Sequence, residues 1–394
     1  MPDLTQLDQL SGNWNYPTNI RFGAGRINEL ADICAQMAIK KPLLVTDQGL
    51  GALPITSNVL SLLSDAGLKS DIFAQIKPNP TGDNIDAGVA YYRNGNHDGI
   101  IAMGGGSGLD AGKAIALMVG QQRPLWDFED VGDNWQRVNE QNIAPVIAIP
   151  TTSGTGSEVG RASVIVNEQQ QLKKIIFHPT MLPKVVLADP ALTAGLPAHI
   201  TAATGLDAFV HNLEAYCAPG YHPMAEGIAL EGMRLIKQWL PKAVADGNDL
   251  VARSHMMIAS SMGATAFQKG LGGVHALAHP LGALFDAHHG LLNAILLPYV
   301  LERNRAVIED KIAEISHHLH LNSPSFDGFI HWLGTFSQQL GIPATLNDIG
   351  ISDKQHVLIG EKAVQDPSAG GNPIALNAQD YAAIFVNAVN GKRA

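Results

Sequence analysis

The stretch Gly99-Ile100-Ile101-Ala102-Met103-Gly104-Gly105-Gly106-Ser107 decides the fold. Gly99 to Met103 has strand length and no polar position, the pattern of a strand covered on both faces of a sheet. Three glycines and a serine stop it, and helical periodicity then runs to about Val119. Glycines at such a turn let backbone approach a phosphate, and the following helix start presents free N–H groups and the positive end of its dipole. Ser107 can cap that helix and bond a phosphate oxygen. Read from Gly106, the string also fits G-x-G-x-x-A. An ordinary strand-to-helix turn looks the same in isolation; the strand before it and the helix after it favour a nucleotide. The turn comes late in its domain, which points to a doubly wound order other than the common one.

The flanks follow the same alternation. Residues up to about 15 read as a loose arm, and Pro17 to Phe22 as a short strand. Helical patterns over Arg26–Met37, Pro54–Ala66 and Asn84–Asn94 alternate with strand-like Pro42–Thr46, Ser70–Ile76 and Pro145–Ile149. Alternation of this kind means an α/β domain with a mostly parallel sheet. Ala162–Val166, Lys174–Phe177 and Val185–Ala188 are further strand candidates. Beyond Asp189-Pro190 the character changes to long helical patterns, punctuated by Pro241, Pro280, Pro298, Pro324 and Pro343. The expected organisation is a dinucleotide-binding α/β domain over residues 1–190 and an all-helical metal and catalytic domain over 191–394.

Composition narrows the class. The chain has 394 residues, suggesting two domains, and 16% of them are charged, as in a compact globular protein. A net charge of −10 argues against nucleic acid as a partner. Cys34 and Cys217 are too few for a disulfide framework, so a reducing, cytoplasmic location is expected. No signal peptide is visible, and no apolar stretch approaches the ~20 residues that span a membrane.

Gly205-Leu-Asp-Ala-Phe-Val-His211 places a carboxylate and an imidazole four residues apart. Positions i and i+4 share a helix face, so Asp207 and His211 can point at one ion. His275 and His279 repeat the spacing, and His288-His289-Gly290 follows. Imidazole suits iron, zinc, nickel and copper, and three or four protein ligands with an open position make a catalytic site. A single pair is more often a helix-face hydrogen bond; two pairs and a further His-His favour a divalent metal. Spacing leaves open which of His275, His279, His288 and His289 are ligands. Pro150-Thr-Thr-Ser-Gly-Thr-Gly-Ser-Glu158 follows the end of another strand, where open α/β sheets bind ligands.

In this order the motifs resemble the iron-containing (group III) alcohol dehydrogenase family. The motifs are Gly104-Gly-Gly-Ser107 with Asp110 and Lys113, Pro150 to Glu158, Thr204 to His211, and His275 to Gly282 with His289-Gly290. The likeness extends from Pro17 to Gly341-Ile-Pro-Ala-Thr-Leu and Gly370-Gly-Asn-Pro, so over most of the chain. It implies a dehydroquinate-synthase-like nucleotide domain and metal ligands at Asp207, His211, His275 and His289. His279 matches a residue beside the metal that acts in proton transfer or nicotinamide contact. Gly105, Gly106, Ser107 and Asp110 match the pyrophosphate loop and its helix, although Asp110 and Lys113 also suit a structural role. Thr151, Thr152, Thr155 and Asn79 match further cofactor contacts, as does Lys173, with Lys174 beside it. Asp47 matches the carboxylate on the adenosine ribose; it would bond a free 2′-hydroxyl and repel a 2′-phosphate, favouring NAD over NADP.

The implied reaction is metal-assisted hydride transfer between a small primary alcohol or aldehyde and NAD(H). Fe(II) is the implied metal, with Zn(II) compatible, in a homodimer or higher homo-oligomer. Asp207 would take part in catalysis by lowering the net charge of the metal site. Lys269, in a run one residue shorter than in some relatives, and Arg161 are candidates for holding a substrate carboxylate, as in an ω-hydroxy acid such as 4-hydroxybutyrate. Glycerol-dehydrogenase-like and dehydroquinate-synthase-like chemistries are the alternatives within the superfamily.

Overall fold

The computed structural model describes residues 18–170 and 172–392. The arm expected up to about residue 15, and Pro17 of the first strand, lie outside the described residues. Two compact units divide the chain between Gly195 and Leu196.

The first unit contains β1 (Ile20–Phe22), α1 (Leu30–Gln36), β2 (Pro42–Asp47), α2 (Gln48–Gly51), α3 (Pro54–Asp65), β3 (Asp71–Ile76), α4 (Gly82–Gly95), β4 (Gly99–Gly104), α5 (Gly106–Met118), β5 (Val146–Pro150), β6 (Ala162–Asn167), β7 (Leu172–Phe177) and β8 (Val185–Ala188). Six strands form a wholly parallel sheet in the order β1-β8-β5-β4-β2-β3. All six residues of β4 are buried, as a strand between two helical layers requires. β3 and β4 flank β2, so the connections leaving β2 and β4 run in opposite directions. Their C-terminal ends form a topological switch point, the usual ligand crevice of such sheets. β6 and β7 stand apart as an antiparallel pair. The helix expected over Arg26–Met37 opens instead as a 3-10 turn, Arg26–Glu29, before α1.

In the second unit come α6 (Ala198–Cys217), α7 (Pro223–Ala245), α8 (Leu250–Ala266), α9 (Gly273–Phe285), α10 (His289–His318), α11 (Phe326–Gln339), α12 (His356–Val364) and α13 (Ala378–Asn390), with no strand among the described residues. α6 is its axis: every residue from Thr201 to Cys217 is buried, as befits a helix wrapped on all sides. Pro324 and Pro343 lie outside helices, but Pro241, Pro280 and Pro298 sit within α7, α9 and α10. Proline removes one helix hydrogen bond and bends the axis. Pro280 and Pro298 are both buried, and each of the three helical prolines lies inside its helix rather than at its end.

Candidate metal centre and nucleotide-binding turn

Asp207 and His211 lie one turn apart on α6, His275 on the first turn of α9, and His289 at the start of α10. Gly290 brings α10 against α6. A Cβ there would stand 2.6 Å from the Ala203 carbonyl oxygen and 3.0 Å from Cβ of Asp207. With only hydrogen at that position, the first turn of α10 presses onto α6 beside Asp207. One ligand atom from each of Asp207, His211, His275 and His289 lies within 4.8 Å of all the others. Nε2 of His275 is 2.9 Å from Nε2 of His211 and 3.9 Å from Oδ1 of Asp207, and His289 Nε2 is 3.8 Å from the same oxygen.

Three further residues, which the sequence reading missed, hold this group. Glu214 lies on α6 seven residues after Asp207. Its Oε2 is 2.6 Å from Nδ1 of His275, and its Oε1 accepts from the Val274 N–H at 2.7 Å. Burial works against a charged His275 ring, but Glu214, then Asp207 and Asp366, hold its pKa above the ordinary imidazole value. Asn293, one turn after His289, donates from Nδ2 to Oδ1 of Asp207 at 2.6 Å and lies 3.1 Å from Nε2 of both His275 and His289. Asp366 lies 2.8 Å from Nδ1 of His279. Buried carboxylates and an amide aimed at these side chains were the available signal: Glu214 continues the Asp207–His211 face, and Asn293 stands at i+4 from His289.

His279 itself stacks on His289, ring centroids 5.3 Å apart at 12°, and is edge-on to His275 at 5.8 Å. His288 accepts from the Leu291 N–H and caps α10. Its chain neighbour His289, not His288, belongs to the cluster.

The donor set fits a divalent transition metal. One carboxylate oxygen and three imidazole nitrogens suit iron or zinc. With the proton of His275 on Nδ1, facing Glu214, the Nε2 lone pair is directed at the centre, the arrangement of a carboxylate–histidine–metal site.

In the first unit, Gly105 caps α5 and Gly106 opens it. A Cβ on Gly106 would stand 2.8 Å from Cγ2 of Thr155, and one on Gly105 3.2 Å from Oγ1 of Thr152. The glycine turn and the threonine loop are therefore in contact. Gly104 and Pro150 pair at the ends of β4 and β5, and the Thr151 N–H donates to Gly104 at 3.0 Å. Ser107 donates its hydroxyl to the Pro78 carbonyl, tying in the segment that carries Asn79. Asp47 ends β2, where its Oδ1 accepts from the Leu50 N–H at 2.9 Å. Its other oxygen lies near Gly104, 3.6 Å from where a Cβ would be. Asp47, Gly105, Ser107 and Thr152 thus converge at the switch point.

Asp110 and Lys113 brace this turn. Asp110 accepts from the Ser157 hydroxyl at 2.5 Å and the Val164 N–H at 2.9 Å. Lys113 is buried and donates to the Ser157 carbonyl at 2.9 Å and to the Ala162 carbonyl. Burial pushes its ammonium pKa down, against the pull of Asp110. Lys174 pairs with Glu129 at 2.6 Å, and strand alternation sends Lys173 to the other face of the hairpin.

The two candidate carboxylate-binding cations are engaged within their own units. Lys269 donates to Glu226 at 2.6 Å and to the Tyr216 carbonyl at 3.1 Å. Arg161 lies over the Phe177 ring, 5.6 Å from its centroid.

Comparison with known proteins identifies the family. The family model for iron-containing alcohol dehydrogenase matches residues 17–190, and that for the C-terminal region of the Fe-containing alcohol dehydrogenase family matches 201–389. The chain belongs to the iron-containing alcohol dehydrogenase family. Among relatives of this alcohol dehydrogenase, the 4-hydroxybutyrate dehydrogenase of Cupriavidus necator is 37% identical over 93% of this chain and 97% of that protein. The 1,3-propanediol dehydrogenase of Klebsiella pneumoniae is 36% identical over 96% and 97%. A crystal structure of 1,3-propanediol oxidoreductase superposes with a TM-score of 0.89 at 35% identity, covering 95% of this chain and 99% of that one. Sulfoacetaldehyde reductase from Bifidobacterium kashiwanohense, solved in complex with NAD+, gives 0.86 at 26% identity, covering 97% and 100%. This family member is an oxidoreductase with a parallel-sheet region followed by a helical one.

Proposed function

We propose that this alcohol dehydrogenase transfers hydride between small primary alcohols and NAD, using Fe(II), or Zn(II) in its place, held by Asp207, His211, His275 and His289. The observation that carries the reading is the convergence of those four ligand atoms within 4.8 Å, backed by Glu214 on the far nitrogen of His275. When bound, the metal supplies Lewis-acid polarisation of the substrate oxygen, and NAD supplies the hydride acceptor.

The chain's own residues bind and orient. Glu214 sets the tautomer of His275, and Asn293 fixes Asp207. In this reading the first unit binds the dinucleotide and the second carries the metal. Gly105, Gly106 and Ser107 offer backbone and hydroxyl donors to the pyrophosphate, with Thr151, Thr152, Thr155, Asn79 and Lys173 as further cofactor contacts. Asp110 shapes the turn from behind. Asp47 takes the adenosine ribose hydroxyls and selects NAD over NADP. His279 is the proton acceptor. Buried, unpaired Cys34 and Cys217 fit work in the cytoplasm, and the family resemblance supports a homo-oligomer.

A second reading, an ω-hydroxy acid substrate, draws on the Cupriavidus necator relative. The ion pair of Lys269 with Glu226 weighs against Lys269 as the group that would take its carboxylate.

The deciding experiment measures NADH formation from a panel of small alcohols and 4-hydroxybutyrate, with stripped protein reloaded anaerobically with Fe(II) or Zn(II). Metal-dependent turnover of primary alcohols is expected. Absence of turnover with either metal, although NAD still binds, would reject the reading.

A further inference from the structure

We propose that Asp366 is a positioning residue of the reaction: it fixes the tautomer of His279 so that Nε2, the ring nitrogen away from Asp366, carries the lone pair that receives the alcohol proton. The inference rests on the alcohol dehydrogenase reading above and adds a residue to it.

Both side chains of the pair are buried, His279 exposing 9% and Asp366 4% of their surface, and Oδ2 of Asp366 lies 2.8 Å from Nδ1 of His279. The other oxygen, Oδ1, accepts from the Ser368 N–H at 2.8 Å. With one oxygen on the backbone and the other on the ring, the carboxyl group has no freedom to turn away. The segment that carries it is anchored too. Asp366 caps the 3-10 turn Pro367–Gly371. Asn372, which ends that turn, accepts from the Gly273 N–H at 3.0 Å and exchanges two hydrogen bonds with Asn304 on α10. The carboxylate is thereby fastened to the start of α9, the helix that bears His279.

An ionised carboxylate only accepts hydrogen bonds. The Ser368 N–H on one oxygen and the ring Nδ1 against the other favour the ionised form of Asp366. The hydrogen of a neutral His279 ring therefore sits on Nδ1, and the lone pair on Nε2. The stack on His289 fixes the ring plane. A substrate alcohol then loses its O–H proton to Nε2 and its carbinol hydride to NAD. The products are aldehyde, NADH and an imidazolium that Asp366 stabilises. Reduction runs the same steps backwards, with the imidazolium returning the proton.

Asp366→Asn tests the assignment. The amide has nearly the shape of the carboxylate but can donate to Nδ1, which places the ring hydrogen on Nε2. The same exchange puts the histidine of a Ser-His-Asp triad into the wrong tautomer. We expect kcat to fall by roughly 100-fold, the loss of one general base, with alcohol KM, NAD affinity and metal content within about threefold of wild type. In a His279→Gln background, Asp366→Asn should add less than about twofold, because it acts through that ring. Long-range proton–nitrogen correlation of 15N-histidine-labelled, zinc-loaded protein should show Nδ1–H in the wild type and Nε2–H in Asp366→Asn. A kcat within threefold of wild type in Asp366→Asn, or a full additional loss in the double variant, overturns the proposal. So does Nε2–H in the wild type, a readout that stands even if the variant does not fold. Failure of the wild type to oxidise any alcohol would instead reject the function on which the proposal rests.

Discussion

Glu214 and His275 meet at 2.6 Å, carboxylate oxygen to Nδ1, while the opposite nitrogen of the same ring faces His211 at 2.9 Å. The carboxylate thus sets which nitrogen of His275 is free. Glu214→Gln keeps the shape and removes the charge. We expect the affinity of stripped protein for Zn(II), followed by calorimetry, to fall by roughly 10- to 100-fold. An unchanged isotherm would mean that Glu214 only packs.

The contact between Gly106 and Thr155 gives a second prediction, independent of the metal. Gly106→Ala places a Cβ 2.8 Å from Cγ2 of Thr155, and overpacking of this kind costs ~1–3 kcal/mol. NAD should bind at least about fivefold more weakly by fluorescence titration, with Zn(II) affinity untouched. Thr155→Ser removes the offending methyl group, so the double variant should recover most of the loss. Without that recovery, the threonine contact is not the cause.

Asp47 controls cofactor choice in our reading, and Asp47→Asn separates its charge from its cap. The amide oxygen can still accept from Leu50, so α2 should persist, while repulsion of a 2′-phosphate disappears. A like-charge contact near a protein surface costs ~1–4 kcal/mol, so the ratio of kcat/KM for NADP to that for NAD should rise roughly tenfold or more. A constant ratio would place the discrimination elsewhere.

The cysteines carry the pH prediction. Burial is the main reason that the thiol pKa values rise to about 11 for Cys34 and to about 12 for Cys217. Neither should react with a disulfide reagent at pH 8 until the chain unfolds, because the thiolate is the nucleophile. The sign of the linkage follows. Above the unfolded pKa of ~8.5 the unfolded chain loses protons that the folded chain keeps, so this part of the stability declines as pH rises towards 11. Cys34→Ala and Cys217→Ala should each flatten the alkaline limb of the urea-unfolding profile; an unaltered limb would show that other groups set it.

How much of this was legible beforehand depends on the range of the interaction. The burial of Gly99–Met103 and the shared face of Asp207 and His211 are local facts, and period and spacing revealed both. Glu214 extends that face by one more turn, but its partner His275 lies sixty-one residues further on, and only folding brings them together. Asp366 was less accessible still, because it meets His279 from a loop eighty-seven residues away. The sheet order was equally hidden, since β1 reaches its partner β8 across almost the whole unit. Pro280 shows the limit of local rules from another side: proline ordinarily interrupts a helix, yet α9 runs past it with the residue buried.

The brace of Asp110 and Lys113 has a thermodynamic consequence for any ligand of the glycine turn. Ser157 and Ala162 are tied to α5 before that ligand arrives. The entropy of ordering the loop between them has therefore already been spent during folding. Association at the turn is free of that cost, which for a loose loop runs to ~0.5–1.5 kcal/mol for each immobilised side chain, and the affinity there reflects contacts rather than rearrangement.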